Sequence, residues 1–187
     1  IGKLVGNMKN KIYNISQKDH AYIKSDWSIK FRNETIRILH KNKIINNEVT
    51  ELEKIHEYIN DKSLIDYDFE SGVNGITKSL YEVDNKYMLL YHKFLKDLYD
   101  KLGFDFYFQE SPTIRVHCPN AKNQHHYPRY HSDCFYGHPP QEINIWFTLT
   151  SNKNSGFYVI DSNNSKKWLD KYNSDSKLFI EKAINSK

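Results

Sequence analysis

Cysteine is scarce in this sequence, with Cys118 and Cys134 the only two among 187 residues. Two thiols are too few for a disulfide framework or a four-thiolate zinc site, so a reducing, cytoplasmic setting is expected. A long apolar run is also missing. Nothing approaches the roughly 20 consecutive apolar residues that a bilayer-spanning helix needs, and residues 1–10 are too short and too polar for a secretory leader. No membrane partner is therefore expected. A dominant charge is lacking as well: 27 Lys plus Arg stand against 23 Asp plus Glu, a net charge of +4, and the basic residues are scattered. Without a basic stripe, interleaved aromatics or a reading module, no nucleic-acid partner is expected. No internal repeat is visible.

What the chain does have is aromatic bulk. Its apolar fraction of 39% is modest, but 14 Tyr and 10 Phe supply the large buried surfaces that a disordered chain lacks. The length suits one core better than two, so residues 1–187 are expected to form a single domain. Up to about Ile76 the pattern is polar and irregular. A helix is expected over residues 50–59, where Leu52, Ile55, His56 and Ile59 recur at helical spacing and Thr50 with Glu53 forms a capping-box pattern. A second short helix fits residues 34–40. The strongest helix spans residues 76–102, with Leu80, Val83, Tyr87, Leu90, Tyr91, Phe94, Leu95, Leu98 and Leu102 on one stripe and Gly103 as its stop. Residues 1–103 thus read as a mainly helical part.

From Phe104 onward the pattern shifts to short aromatic and β-branched runs. Strands are expected over residues 104–109, 113–117, 127–131, 142–150 and 156–160, separated by turns at Ser111-Pro112, Pro119-Asn120, 137–140 and 151–155. Residues 166–185 read as a helix or a long insertion. Helices followed by successive short strands make an α+β domain whose sheet half is a jelly roll or barrel.

The chemistry concentrates in residues 115–161, which hold His117, His125, His126, His131 and His138. Tyr130-His131-Ser132-Asp133 sets an imidazole and a carboxylate two positions apart at a strand end. In extended backbone such residues point to one side, so His131 and Asp133 are able to converge on one ion. Alone this spacing is weak, because non-haem iron takes three protein ligands. The context is more specific: the motif leaves a strand, passes the Tyr136-Gly137-His138-Pro139 turn and meets the alternating strand 142–150.

Arg115 to Cys118, Tyr130-His131-Ser132-Asp133, Tyr136-Gly137-His138, Glu142-x-Asn144-x-Trp146-x-x-Leu149-Thr150 and Ser155-Gly156 together resemble the iron-binding half of the phytanoyl-CoA-dioxygenase-like superfamily. These are iron(II)/2-oxoglutarate-dependent oxygenases, and the nearest likeness is to hydroxylase-like proteins of streptomycin and other sugar-linked pathways. The likeness covers about a quarter of the chain. It implies a double-stranded β-helix, cupin-like, with N-terminal helices, and hydroxylation of a small-molecule substrate using Fe(II), 2-oxoglutarate and O2. It also implies His131 and Asp133 as metal ligands and the 142–150 strand, with Asn144 and Trp146, as lining for the 2-oxoglutarate pocket. Arg115 suits the cosubstrate carboxylate, since its planar fork binds such a group bidentately, and equally suits an ion pair with Glu142. For Trp146 core packing is the plain alternative. Tyr136 and His138, in the loop beyond the ligands, are candidate substrate contacts.

The superfamily's remaining parts do not carry over. No His follows His138 and no Arg follows Arg129, so the distal iron ligand and the distal 2-oxoglutarate anchor have no counterparts. The expectation is a chain cut short, with residues 104–187 an incomplete β-helix, because five strands would leave an exposed sheet edge. The alternatives are a relative that lost its metal and survives as a binding module, a ligand drawn from His117, His125, His126 or His138, and a cupin-type metal-dependent sugar isomerase.

Overall fold

A computed structural model describes residues 2–4, 25–46, 49–123, 133, 138, 142–150 and 162–171 of the chain. In order, the elements are β1 (Gly2–Leu4), α1 (Trp27–Lys41), α2 (Ile55–Tyr58), a single 3-10 turn (Lys62–Ile65), α3 (Gly75–Ser79), α4 (Asn85–Leu102), β2 (Phe106–Phe108) and α5 (Ser162–Lys171).

The core lies between α1 and α4. Phe31, Thr35, Ile38 and Leu39 recur at helical spacing along α1 and are its buried residues, while α4 buries Tyr87, Tyr91, Phe94 and Leu95. Aromatic edges interlock there: Phe94 meets Trp27 edge-on at 5.7 Å and Phe31 at 5.8 Å between ring centroids. The Trp27 indole N–H donates to Asp97 at 2.7 Å, which satisfies the one polar atom the ring carries inward.

The apolar stripe over 76–102 is split into two helices rather than one. Leu80 ends α3 and is itself buried, and Asp84 caps α4 by accepting from the Tyr87 N–H at 3.1 Å. The stripe survives the break because Leu80 and Val83 still face the same core. Gly103 ends α4 as expected, in the left-handed region at φ 73°, its N–H donating to the Tyr99 carbonyl.

The helix expected over 50–59 shrinks to Ile55–Tyr58. Its N-cap is Lys54, which makes no side-chain cap hydrogen bond, and the Glu53 carboxylate pairs with Arg32 of α1 at 2.8 Å. The short helix expected over 34–40 is the C-terminal half of the longer α1. At the other end, α5 starts before residue 166, and residues 172–185 of that expected helix lie outside the described residues.

Among the described residues, the sheet is a single antiparallel pair, β1 with β2, in the register Gly2 to Phe108, Lys3 to Tyr107 and Leu4 to Phe106. The strand expected over 104–109 is thus present in part. Residues 113–117 and 142–149 form no ladder among the described residues. The expected strands 127–131 and 156–160 lie outside the described residues.

Candidate functional site

Residues 113–118 alternate as a strand would, with Ile114 and Cys118 buried, Val116 packed on the core, and Arg115 and His117 on the other side. Side chains of α3 take the role of a strand partner. Asn74, wholly buried, caps α3 by accepting from the Thr77 N–H at 2.8 Å and donates its amide to the Val116 carbonyl at 2.8 Å. The Val116 N–H in turn donates to the Thr77 hydroxyl at 3.0 Å. Both backbone groups of Val116 are therefore satisfied without a neighbouring strand.

This clamp presents Arg115 and His117 outward. His117 Nδ1 lies 2.6 Å from the hydroxyl of buried Tyr67, fifty residues away in sequence. The imidazole pKa is lowered, first by desolvation and second by the positive charge of Arg115. Arg115 is exposed, and no carboxylate pairs with it among the described residues. The acid weighed as its partner, Glu142, instead meets His138 Nδ1 at 2.7 Å. Burial, only partly offset by Lys62, pushes the Cys118 thiol up to about 11, so it stays protonated and poorly nucleophilic at neutral pH.

The second part of the candidate site is a set of polar contacts among Asp133, His138, Glu142 and Asn144. The His138 N–H donates to the Asp133 carbonyl at 3.3 Å, His138 pairs with Glu142, and the Asn144 amide donates to Asp133 Oδ2 at 2.5 Å. The carboxylate of Asp133 thereby meets the 142–150 segment at Asn144. Further along, that segment is anchored in the helical core: Phe147 packs against Phe94 at 5.2 Å and Phe31 at 5.6 Å, and Leu149 packs on the same core.

Of the residues singled out in the sequence, Asp133 is half-buried and meets Asn144, while Trp146 is 52% exposed, which is more than core packing would leave. His138 is exposed and meets the Glu142 carboxylate and the Asp133 carbonyl. His131 and Tyr136 lie outside the described residues. Tyr67 has no local sequence signal as a partner of His117, because the two lie fifty residues apart and meet only through the fold; Glu142, weighed in the sequence as a partner of Arg115, meets His138 four residues before it. Among the described residues, no group of His, Cys, Asp and Glu large enough to hold a metal comes together. Also among them, no helix is long and apolar enough to cross a membrane. Comparison of the chain with protein-family models, curated proteins and solved structures returns no match.

Proposed function

We propose that the chain carries the iron-binding part of an Fe(II)/2-oxoglutarate-dependent hydroxylase, built on a double-stranded β-helix and acting on a small molecule. The observation that supports it most is the Asn144 to Asp133 contact, which joins the carboxylate of the His-x-Asp motif to the segment expected to line the cosubstrate pocket. The donor chemistry fits iron. Imidazole from His131 and carboxylate from Asp133 are two of the three ligands of a two-His, one-carboxylate site, and ligating carboxylates in such sites are themselves hydrogen-bonded, as the Asp133 carboxylate is by the Asn144 amide.

In this reading His131 and Asp133 hold the ion. When bound, Fe(II) supplies O2 activation coupled to oxidative decarboxylation of 2-oxoglutarate to succinate and CO2. The chain's own residues bind and orient. Arg115, outward-facing and without a carboxylate partner among the described residues, pairs with the cosubstrate carboxylate. Trp146 supplies an apolar wall beside Asn144, and Tyr136 and His138 meet the substrate from the loop.

One sequence fact favours a second reading, a binding module of the same shape without iron: no His follows His138 and no Arg follows Arg129. Anaerobic addition of Fe(II) and 2-oxoglutarate to the protein separates the two. The hydroxylase reading expects iron uptake and the weak visible absorption of chelated 2-oxoglutarate, and a folded chain that takes up no Fe(II) and shows no such band supports the binding module instead.

A further inference from the structure

Asn144 was expected from the sequence to line the cosubstrate pocket, yet its amide is spent on Asp133. The orientation is chemically determined. Facing a carboxylate, the carbamoyl group must present its NH2 edge, because its oxygen would set acceptor against acceptor. A donor on Oδ2 limits the rotation of the carboxylate about its own axis. The segment that carries Asn144 is anchored three residues on, where Phe147 packs against Phe31 of α1 and Phe94 of α4. Glu142, two residues before Asn144, pairs with His138.

We infer that Asn144 is a positioning residue for the metal-binding carboxylate of Asp133 rather than a contact of 2-oxoglutarate. This rests on the hydroxylase reading above. Exposed itself, Asn144 contributes little packing to the fold, so its effect should appear in metal affinity and not in thermal stability.

Anaerobic Fe(II) titration of the full chain, with melting followed in parallel, tests this on Asn144→Leu and Asn144→Gln. Leu keeps the approximate size and removes the donor, whereas Gln restores a donor on a longer arm. The inference expects Asn144→Leu to weaken Fe(II) binding by about 10–100-fold, the usual range for loss of an outer-shell partner. It expects Asn144→Gln to recover most of that, with all melting temperatures alike. Equal Fe(II) affinity of wild type and Asn144→Leu overturns the inference and leaves the hydroxylase reading standing. So does a Gln variant as weak as Leu, or a loss that tracks a falling melting temperature. A wild-type chain that binds no Fe(II) overturns both.

Discussion

Arg37 of α1 grips Asp84, the N-cap of α4, with two nitrogens at 2.9 and 2.7 Å. The same carboxylate accepts from Lys41 at 3.0 Å and from the Tyr87 N–H, so one side chain starts α4 and fastens it to α1. These hydrogen bonds, Arg37's foremost, outweigh desolvation and hold the Asp84 carboxyl well below the usual carboxylate range. Glu34 joins the cluster through Arg37 at 2.6 Å and Lys86 at 2.8 Å. Burial alone would raise its pKa, but the bonds from Lys86 and Arg37 lower it on balance.

Replacing Asp84 with Ala removes a cap and leaves Arg37 short of its main partner, which should cost about 2–3 kcal/mol in urea denaturation. The pH dependence follows from a pKa depressed on folding. The stabilisation is complete above the unfolded value of about 3.9 and is lost as pH falls below it toward the folded value. Asp84→Asn should therefore flatten the acid limb of the stability profile below about pH 4. An unchanged acid limb would contradict this role.

Asn74 offers a sharper contrast, because its oxygen caps α3 while its nitrogen holds the Val116 carbonyl. Asn74→Asp keeps the cap acceptor but sets a buried carboxylate against that carbonyl. It should be at least as destabilising as Asn74→Ala, itself expected to cost about 2–3 kcal/mol. If Asp is tolerated better than Ala, the cap is the part that matters and the Val116 contact is minor.

Phe147 ties the 142–150 segment to the helices through Phe31 and Phe94. Phe147→Ala should cost about 1.5–3 kcal/mol from the apolar area returned to water. It should also raise amide exchange across residues 143–149 more than in α4. Uniform exchange changes throughout the chain would argue against such a local anchor.

His117 should titrate below the ordinary histidine value of about 6.5, measurable on its imidazole proton resonances. A lowered histidine pKa means that neutral His117 is favoured by folding. Its contribution is present above about pH 6.5 and is lost as pH falls through the folded value. Arg115→Gln removes the nearby positive charge and should move the His117 pKa upward, while leaving the larger desolvation effect in place. A downward or absent shift would separate the two side chains electrostatically.

Periodicity made α4 legible, since burying an apolar stripe is a local requirement written every three to four residues, whereas of α1 only residues 34–40 were expected and its first two turns from Trp27 were not. Gly103 was legible for the same reason, a left-handed stop after the last apolar residue. The break at 80–84 was not, because the stripe runs through it and only the Asp84 cap with its Arg37 partner marks the boundary. Nor was the fate of residues 113–117, whose alternation reads as a strand whether the backbone partner is another strand or the side chains of Asn74 and Thr77. In the candidate site, the sequence grouped Asp133, Asn144 and Trp146, but neither the Asn144 contact with Asp133, eleven residues away, nor the pairing of His138 with Glu142 is written in residue spacing.

The proposed hydroxylase needs His131 and Asp133 to hold one iron between them. Anaerobic Fe(II) loading of the wild-type chain and of its His131→Ala and Asp133→Ala variants, read as iron per chain after desalting, decides whether they do. Close to one iron is expected in the wild type and almost none in either variant, with far-ultraviolet circular dichroism unchanged. Iron retained equally by all three would show that the ion, if bound, sits elsewhere.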